Sequence, residues 1–257
     1  MRYAVEPGGS RIRPRIAIAV AMACGDDLPS LSEAAAAAIE LMHCASLVHD
    51  DLPCFDNANF RRSNPAVHVK FGEGLAVLAG DALILMAIRV MSGELQVNGV
   101  RASAMLRALV DATSMPNGIC AGQAWEMESE CDTIRYHTEK TSALFVASTR
   151  MGALAAGNDP SEWIALGENL GAAYQIADDM IDTSPHAIEA GKPVHQDKKL
   201  HRPNLVTEIG VKAAIDRMHS HLDEAIASIP VYATKTELCV VLNELKNRLT
   251  LSVSASN

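Results

Sequence analysis

The sequence predicts an all-α bundle of about eight to ten helices, and three observations carry that prediction. Ala, Leu, Ile and Met are plentiful while aromatic residues make up only 4%; strands draw on aromatic and β-branched residues instead. Apolar residues recur in helical patterns along the chain. No run alternates apolar with polar residues as a half-buried strand does, and no repeat, low-complexity tract or long linker intervenes. The 257 residues, 49% of them hydrophobic, read as a single domain with an ample core.

Taken in order, the elements justify themselves locally. Pro7-Gly8-Gly9 precedes a short apolar helix from Arg13 to Cys24. Ser30-Leu31-Ser32-Glu33 has the spacing of a capping box and opens a long helix. Pro53 ends that helix, leaving Asp50 and Asp51 at its C-terminal end. Helix resumes near Phe71, passes Asp81 and stops before Asn98-Gly99. Further helices are expected over 101–114, 118–130, 136–157 and 161–183. The last of these opens on Asp159-Pro160, a cap followed by proline at the first helical position. A polar loop is expected over 184–203, then helices near 204–228 and 235–249, with a frayed tail.

Composition also excludes classes. Lys+Arg number 22 against 31 Asp+Glu, a net charge of -9, whereas a nucleic-acid binder carries a basic face. Six cysteines, none in a CxxC pair, argue for buried free thiols in a reducing cytosol. Charges break up the apolar runs before they reach the roughly 20 residues of a membrane span. No secretory signal precedes the first motif, so a cytoplasmic location is expected.

The chemistry concentrates in two acid clusters. His49-Asp50-Asp51-Leu52-Pro53-Cys54-Phe55-Asp56 is followed by Arg61-Arg62. Asp50 and Asp56, six apart, would face different ways on an unbroken helix; a helix ending before Pro53 lets Asp56 fold back toward Asp50. Acids at a helix C-terminus oppose its dipole, which suggests a compensating cation. In the second cluster, Asp178-Asp179-Met180-Ile181-Asp182, Asp178 and Asp182 share one helix face. Such carboxylates suit magnesium, which takes one or two of them together with phosphate oxygens. Cations recur beside the acids: Arg11, Arg13, Arg61, Arg62, Lys140, Lys192 and Arg202. That pattern suggests two phosphate groups, one held through metal and one held directly. His43, two turns before Asp50, is a further donor.

The ordered motifs resemble the trans-polyprenyl diphosphate synthases, and within them the bacterial geranylgeranyl diphosphate synthases. The resemblance runs from Gly8-Gly9-Ser10-Arg11-Ile12-Arg13-Pro14 through Glu40-Leu41-Met42-His43 and the first acid cluster. It continues through Arg61-Arg62, Ala79-Gly80-Asp81, Gly122-Gln123, Lys140-Thr141, Tyr174-Gln175, the second acid cluster and Gly191-Lys192. It implies the all-α isoprenoid synthase fold with a deep central cavity, a homodimer, and a role in making carotenoids, chlorophyll-type pigments or quinones. It implies that Asp50, Asp51, Asp56, Asp178 and Asp182 bind Mg2+, three ions per site, bridging an allylic diphosphate. Arg61, Lys140, Gln175 and Lys192 would contact that diphosphate, with Arg202 as a further cation. Arg11, His43 and Arg62 would hold isopentenyl diphosphate, and Thr141 would place the reacting carbons. Small Ala45 and Ser46 leave room for a chain longer than farnesyl, which points to four isoprene units.

The sequence also departs from the family pattern. Ser10 stands where the family usually has a lysine, Gln196 replaces another before Asp197, and Asn57-Ala58-Asn59 lacks the acids often found there. The family's first helix, often part of its dimer interface, has no counterpart ahead of Gly8-Gly9. The alternatives are a farnesyl diphosphate synthase, a non-catalytic subunit of a heteromeric synthase, and a terpene cyclase. Both acid clusters speak against the second, and Arg61-Arg62 with the Gly8-Gly9 start against the third.

Overall fold

The computed structural model describes residues 1–6, 8–128, 133–183 and 204–254. Thirteen α-helical segments are present among them. They are α1 (Arg2–Val5), α2 (Ile12–Ala23), α3 (Pro29–Asp50), α4 (Val67–Phe71), α5 (Glu73–Gly93), α6 (Gly99–Thr113), α7 (Ile119–Trp125), α8 (Thr133–His137), α9 (Ala143–Ala155), α10 (Ile164–Thr183), α11 (Leu205–Ile209), α12 (Val211–Ala227) and α13 (Thr236–Ser254). A π turn, Thr138–Ser142, joins α8 to α9 into one helical rod. The all-α expectation holds. The count exceeds ten because several segments are single turns.

Two large apolar clusters flank the middle of the bundle. One packs α2, α9, α10, α12 and α13 around Ile16, Phe145, Trp163 and Met218. The other packs α2, α3, α5, α6 and α9 around Leu31, Ile39, Met91, Met105 and Met151. A third, smaller cluster seals α3 against α4 and α5 with Ala45, Val48, Val67 and Leu83. Helices α3, α9 and α10 therefore have fixed neighbours on their outer sides, and their remaining faces border a central cavity.

Local rules held at some ends and failed at others. Asn98 accepts from the Arg101 N–H at 3.1 Å and opens α6, as its turn chemistry requires. Asp159 accepts from the Ser161 N–H at 2.9 Å. The expected capping box does not form. Leu28 is the N-cap of α3 and Pro29 its first residue, because proline's fixed φ already starts the helix there. Ser30 and Ser32 instead hydrogen-bond to Glu94 and Asp26, at 3.0 and 2.6 Å.

One strand pair escaped the sequence reading. Phe60–Arg61 pairs antiparallel with Asn64–Pro65 across Arg62-Ser63. Both loop residues have positive φ, 53° and 62°, as a two-residue type I′ turn demands. Arginine and serine occupy the left-handed region at a cost, and at functional sites such strain is held in place by its surroundings.

Pro29–Asp50 and Glu73–Gln96 are each long and apolar enough by composition to cross a membrane, which corrects the expectation that charges interrupt every such run. The first is a core helix. The second leaves Leu75, Leu78 and Leu85 exposed by 59–66%. The five described cysteines are free. Cys54 and Cys120 are exposed rather than buried, and Cys131 lies outside the described residues.

Candidate active site

The first acid cluster is built by the end of α3. The helix stops at Asp50, and the chain turns so that the Asp56 N–H donates to the Asp50 carbonyl at 2.9 Å. That bond brings the two carboxylates back together despite their spacing. The second cluster lies on α10, and both meet at one cavity of about 360 Å³.

Of the residues singled out from sequence, Asp50, Asp56, Asp178 and Asp182 line this cavity. So do Lys140, Thr141 and Gln175, and so do His43, Arg61 and Arg62. Lys192 and Arg202 lie outside the described residues. Two of the expected site residues lie off the cavity. Asp51 does not line the cavity; its side chain is 3% exposed and is gripped by Arg61, whose Nε donates to Oδ1 and Oδ2 at 3.0 and 3.3 Å and whose Nη2 donates to Oδ1 at 2.5 Å. Arg11 does not line it either, because Glu40 and the Val5 carbonyl hold its guanidinium. Two residues further along, Arg13 does line it, stacked 4.3 Å over the Phe145 ring and 5.2 Å from that of Tyr174.

Asp179 is as buried as Asp51 but borders the cavity. Its side chain accepts from Gln175 Nε2 at 2.7 Å and from the Leu205 N–H at 2.9 Å, and it is 1% exposed. Thr141 Oγ1 donates in turn to Gln175 Oε1. A hydrogen-bond chain thus runs from the cavity through Gln175 and Asp179 to the start of α11.

Sequence reading also missed Glu126, on the turn just after α7. Lys140 Nζ donates to both of its oxygens at 2.7 Å and to Asp50 Oδ1 at 3.3 Å. Asp50, Asp56 and Glu126 each offer an oxygen within 4.8 Å of the others. Hard oxygen donors this close fit Mg2+ in kind. The one available signal was position: Glu126 stands one turn beyond Gly122-Gln123.

Electrostatics divide the cavity. Burial works against the Lys140 charge, yet Asp50, Glu126 and Asp56 outweigh it and hold the ammonium pKa above its ordinary value. Burial likewise opposes the Arg61 charge and is outweighed by Asp51, Asp50 and Asp56. Burial drives the His43 pKa well below the usual imidazole value, and Arg13, Arg62, Arg61 and Arg11 push it further down. A neutral imidazole among arginines is a setting for an anion. Gly9 makes part of it possible: a Cβ there would lie 2.4 Å from Arg62 Cζ, and Arg62 Nη1 donates to the Gly8 carbonyl.

The polyprenyl synthetase family model matches residues 1–240. The chain belongs to that family. A geranylgeranyl diphosphate synthase of Cereibacter sphaeroides is 53% identical over 228 residues, covering 89% of this chain and 79% of the relative. A farnesyl diphosphate synthase of Geobacillus stearothermophilus is more distant, 35% identical over 236 residues, 88% of this chain and 79% of the relative. A geranyltransferase of Helicobacter pylori, solved in complex with magnesium and isoprenyl diphosphate, superposes with a TM-score of 0.80 at 28% identity, covering 99% of this chain and 86% of that one. Within this polyprenyl synthetase, then, α3 and α10 present their acids to the same space, as the two clusters led one to expect.

Proposed function

We propose that the protein is a trans-prenyltransferase that joins isopentenyl diphosphate to an allylic diphosphate and releases geranylgeranyl diphosphate. One observation carries the reading: a single cavity holds two acid clusters and a separate group of arginines around a neutral histidine. The relatives at about half identity are consistent with it.

In this reading Asp50, Asp56, Asp178 and Asp182 hold the magnesium ions, three per site, that carry the allylic diphosphate. When bound, magnesium neutralises the leaving diphosphate so that the allylic C–O bond can ionise. Lys140, Arg61 and Gln175 contact the same diphosphate, Lys140 through an ammonium kept charged by its acid neighbours. Arg13, Arg62 and His43 hold isopentenyl diphosphate, with Arg13 taking the part first given to Arg11. Lys192 and Arg202 remain proposed contacts. Leu47, Ile119 and Leu144 line the apolar part of the cavity and keep water from the allylic cation. The isopentenyl double bond attacks that cation, forming one C–C bond, and the proton lost passes to the departing diphosphate. The reaction therefore asks for no side-chain base.

The pocket wall differs from the sequence expectation. Ala45 is 1% exposed and packs in the cluster shared with α4 and α5, whereas Ser46 and Leu47 line the cavity. Ser46→Phe is expected to shift the main product from twenty carbons to fifteen, because a ring there fills space that the lengthening chain needs. Magnesium, labelled isopentenyl diphosphate and each allylic starter are supplied, and the hydrolysed alcohols are sized by chromatography. Fifteen carbons from the unaltered protein would make it a farnesyl diphosphate synthase; no product would favour the non-catalytic subunit.

We also assign a cytoplasmic homodimer. On α5, Leu75, Leu78 and Leu85 lie at helical spacing and are exposed by 59%, 62% and 66%, a face larger than isolated apolar residues explain. Asp81 and Arg89 share this helix, which suits a second copy better than lipid. Leu78→Glu with Leu85→Glu is expected to halve the mass measured by light scattering. An unchanged dimer would remove α5 from the interface.

A further inference from the structure

We infer that the Lys140 ammonium is the resident counter-ion of the first acid cluster, and that Glu126 holds it there until a diphosphate takes it over. The inference rests on the reading of that cluster as a magnesium site. Asp50, Asp56 and Glu126 each place an oxygen within 4.8 Å of the other two, and Lys140 Nζ lies 2.7 Å from both Glu126 oxygens and 3.3 Å from Asp50 Oδ1. A divalent cation held by oxygen donors at roughly 2.0–2.6 Å would draw on the same atoms. The ammonium and the metal therefore compete for Asp50.

Glu126 is built as the holder. Its side chain is 1% exposed, and Tyr136 Oη and Gln123 Nε2 donate to its two oxygens at 2.8 and 2.7 Å. Gly122, one turn earlier, packs against Lys140 so closely that a Cβ would lie 2.3 Å from the Lys140 backbone N. Glu126 and Lys140 are thus tied together through their backbones, while Asp50 belongs to a different helix. A lysine suits a hand-over: its ammonium has three rotatable donors on a flexible stem, where an arginine fork would be committed to one geometry. Without it, three carboxylates this close would repel one another. Once a diphosphate brings its own cations, the ammonium can leave Asp50 for a phosphate oxygen and stay tethered to Glu126.

Charge counting makes the test. Lys140→Met removes one positive charge from the group, Glu126→Gln removes one negative charge, and the double variant restores the starting balance. Mn2+ binding is measured by electron paramagnetic resonance of the free ion, on the whole protein without substrate and then with inorganic pyrophosphate. Without pyrophosphate, Lys140→Met is expected to bind Mn2+ about tenfold more tightly than the unaltered protein, since a repelled charge is gone. Glu126→Gln is expected to bind about tenfold more weakly, and the double variant within about threefold of the unaltered protein. With pyrophosphate the order for Lys140→Met reverses, because the lysine has become a partner. Lys140→Gln repeats the experiment if the methionine variant is unstable. Lys140 variants that bind Mn2+ no more tightly without pyrophosphate overturn the counter-ion role, and an unchanged Glu126→Gln overturns the holder. An unaltered protein that binds no Mn2+ under either condition overturns the magnesium reading instead.

Discussion

Asp50→Ala is expected to lower kcat/KM by at least about three orders of magnitude, a loss of roughly 4 kcal/mol of transition-state stabilisation, while the thermal midpoint stays within a few degrees. Asp50 contributes to both sides of the chemistry. Its carboxylate lies 3.3 Å from Lys140 Nζ and 3.5 Å from Arg61 Nη2, and it lines the cavity with Asp56 and Asp178. Its contribution to folding is small because two effects oppose. Removing it breaks two ion pairs, but it also removes a negative charge from a helix C-terminus crowded by other acids, which is unfavourable to begin with. Asp178→Ala is expected to behave alike. Steady-state turnover at saturating magnesium, beside thermal unfolding, measures both quantities. Turnover within tenfold of the unaltered protein would end the assignment of these residues to the metal.

The neighbouring residue should do the opposite. Asp51→Ala is expected to cost roughly 2–4 kcal/mol of stability, somewhat under the range for breaking a fully buried pair because Arg61 keeps some access to water. Asp51 itself is 3% exposed against 30% for Arg61. The thermal midpoint should fall by roughly 5–15 °C, and the folded fraction should keep more turnover than the Asp50 variant by at least about tenfold. Urea unfolding followed by circular dichroism, with activity per folded molecule, decides it. An Asp51 variant that unfolds like the unaltered protein yet loses turnover would return Asp51 to the list of ligands.

That contrast also shows where sequence reading stops. Helical spacing placed the long helices: the expected stretch from Arg13 to Cys24 is Ile12–Ala23, and 101–114 is Gly99–Thr113. The acid clusters were visible because acids are rare in apolar helices. That Asp50 borders the cavity while Asp51 turns to Arg61 was not visible. Consecutive helical residues point about 100° apart, and only tertiary packing decides which direction is the cavity and which is Arg61. The same ambiguity exchanged Arg11 for Arg13, two positions along the chain. It also placed Ala45 on the pocket wall beside Ser46, when of the two only Ser46 lines it. Glu126 was hidden for another reason. It sits in an acid-rich stretch with Glu128 and Glu130, where nothing in the local sequence marks out the one carboxylate that is buried at the cavity.

The π turn at Thr138–Ser142 has a consequence for how this chain tolerates insertions and deletions. A π turn is an α-helix carrying one surplus residue. Deleting a single residue within it, Glu139 for instance, would restore an uninterrupted α-helix and keep the rod continuous. The wide turn absorbs the extra residue, so α8 and α9 would keep nearly the same phase and Tyr136 would stay beside Glu126. Only the residues inside the stretch would change direction, Lys140 and Thr141 among them, although no residue of the acid clusters had changed. The surplus residue thus sets an aim rather than a length: it turns two side chains toward the cavity on a rod that would be continuous without it.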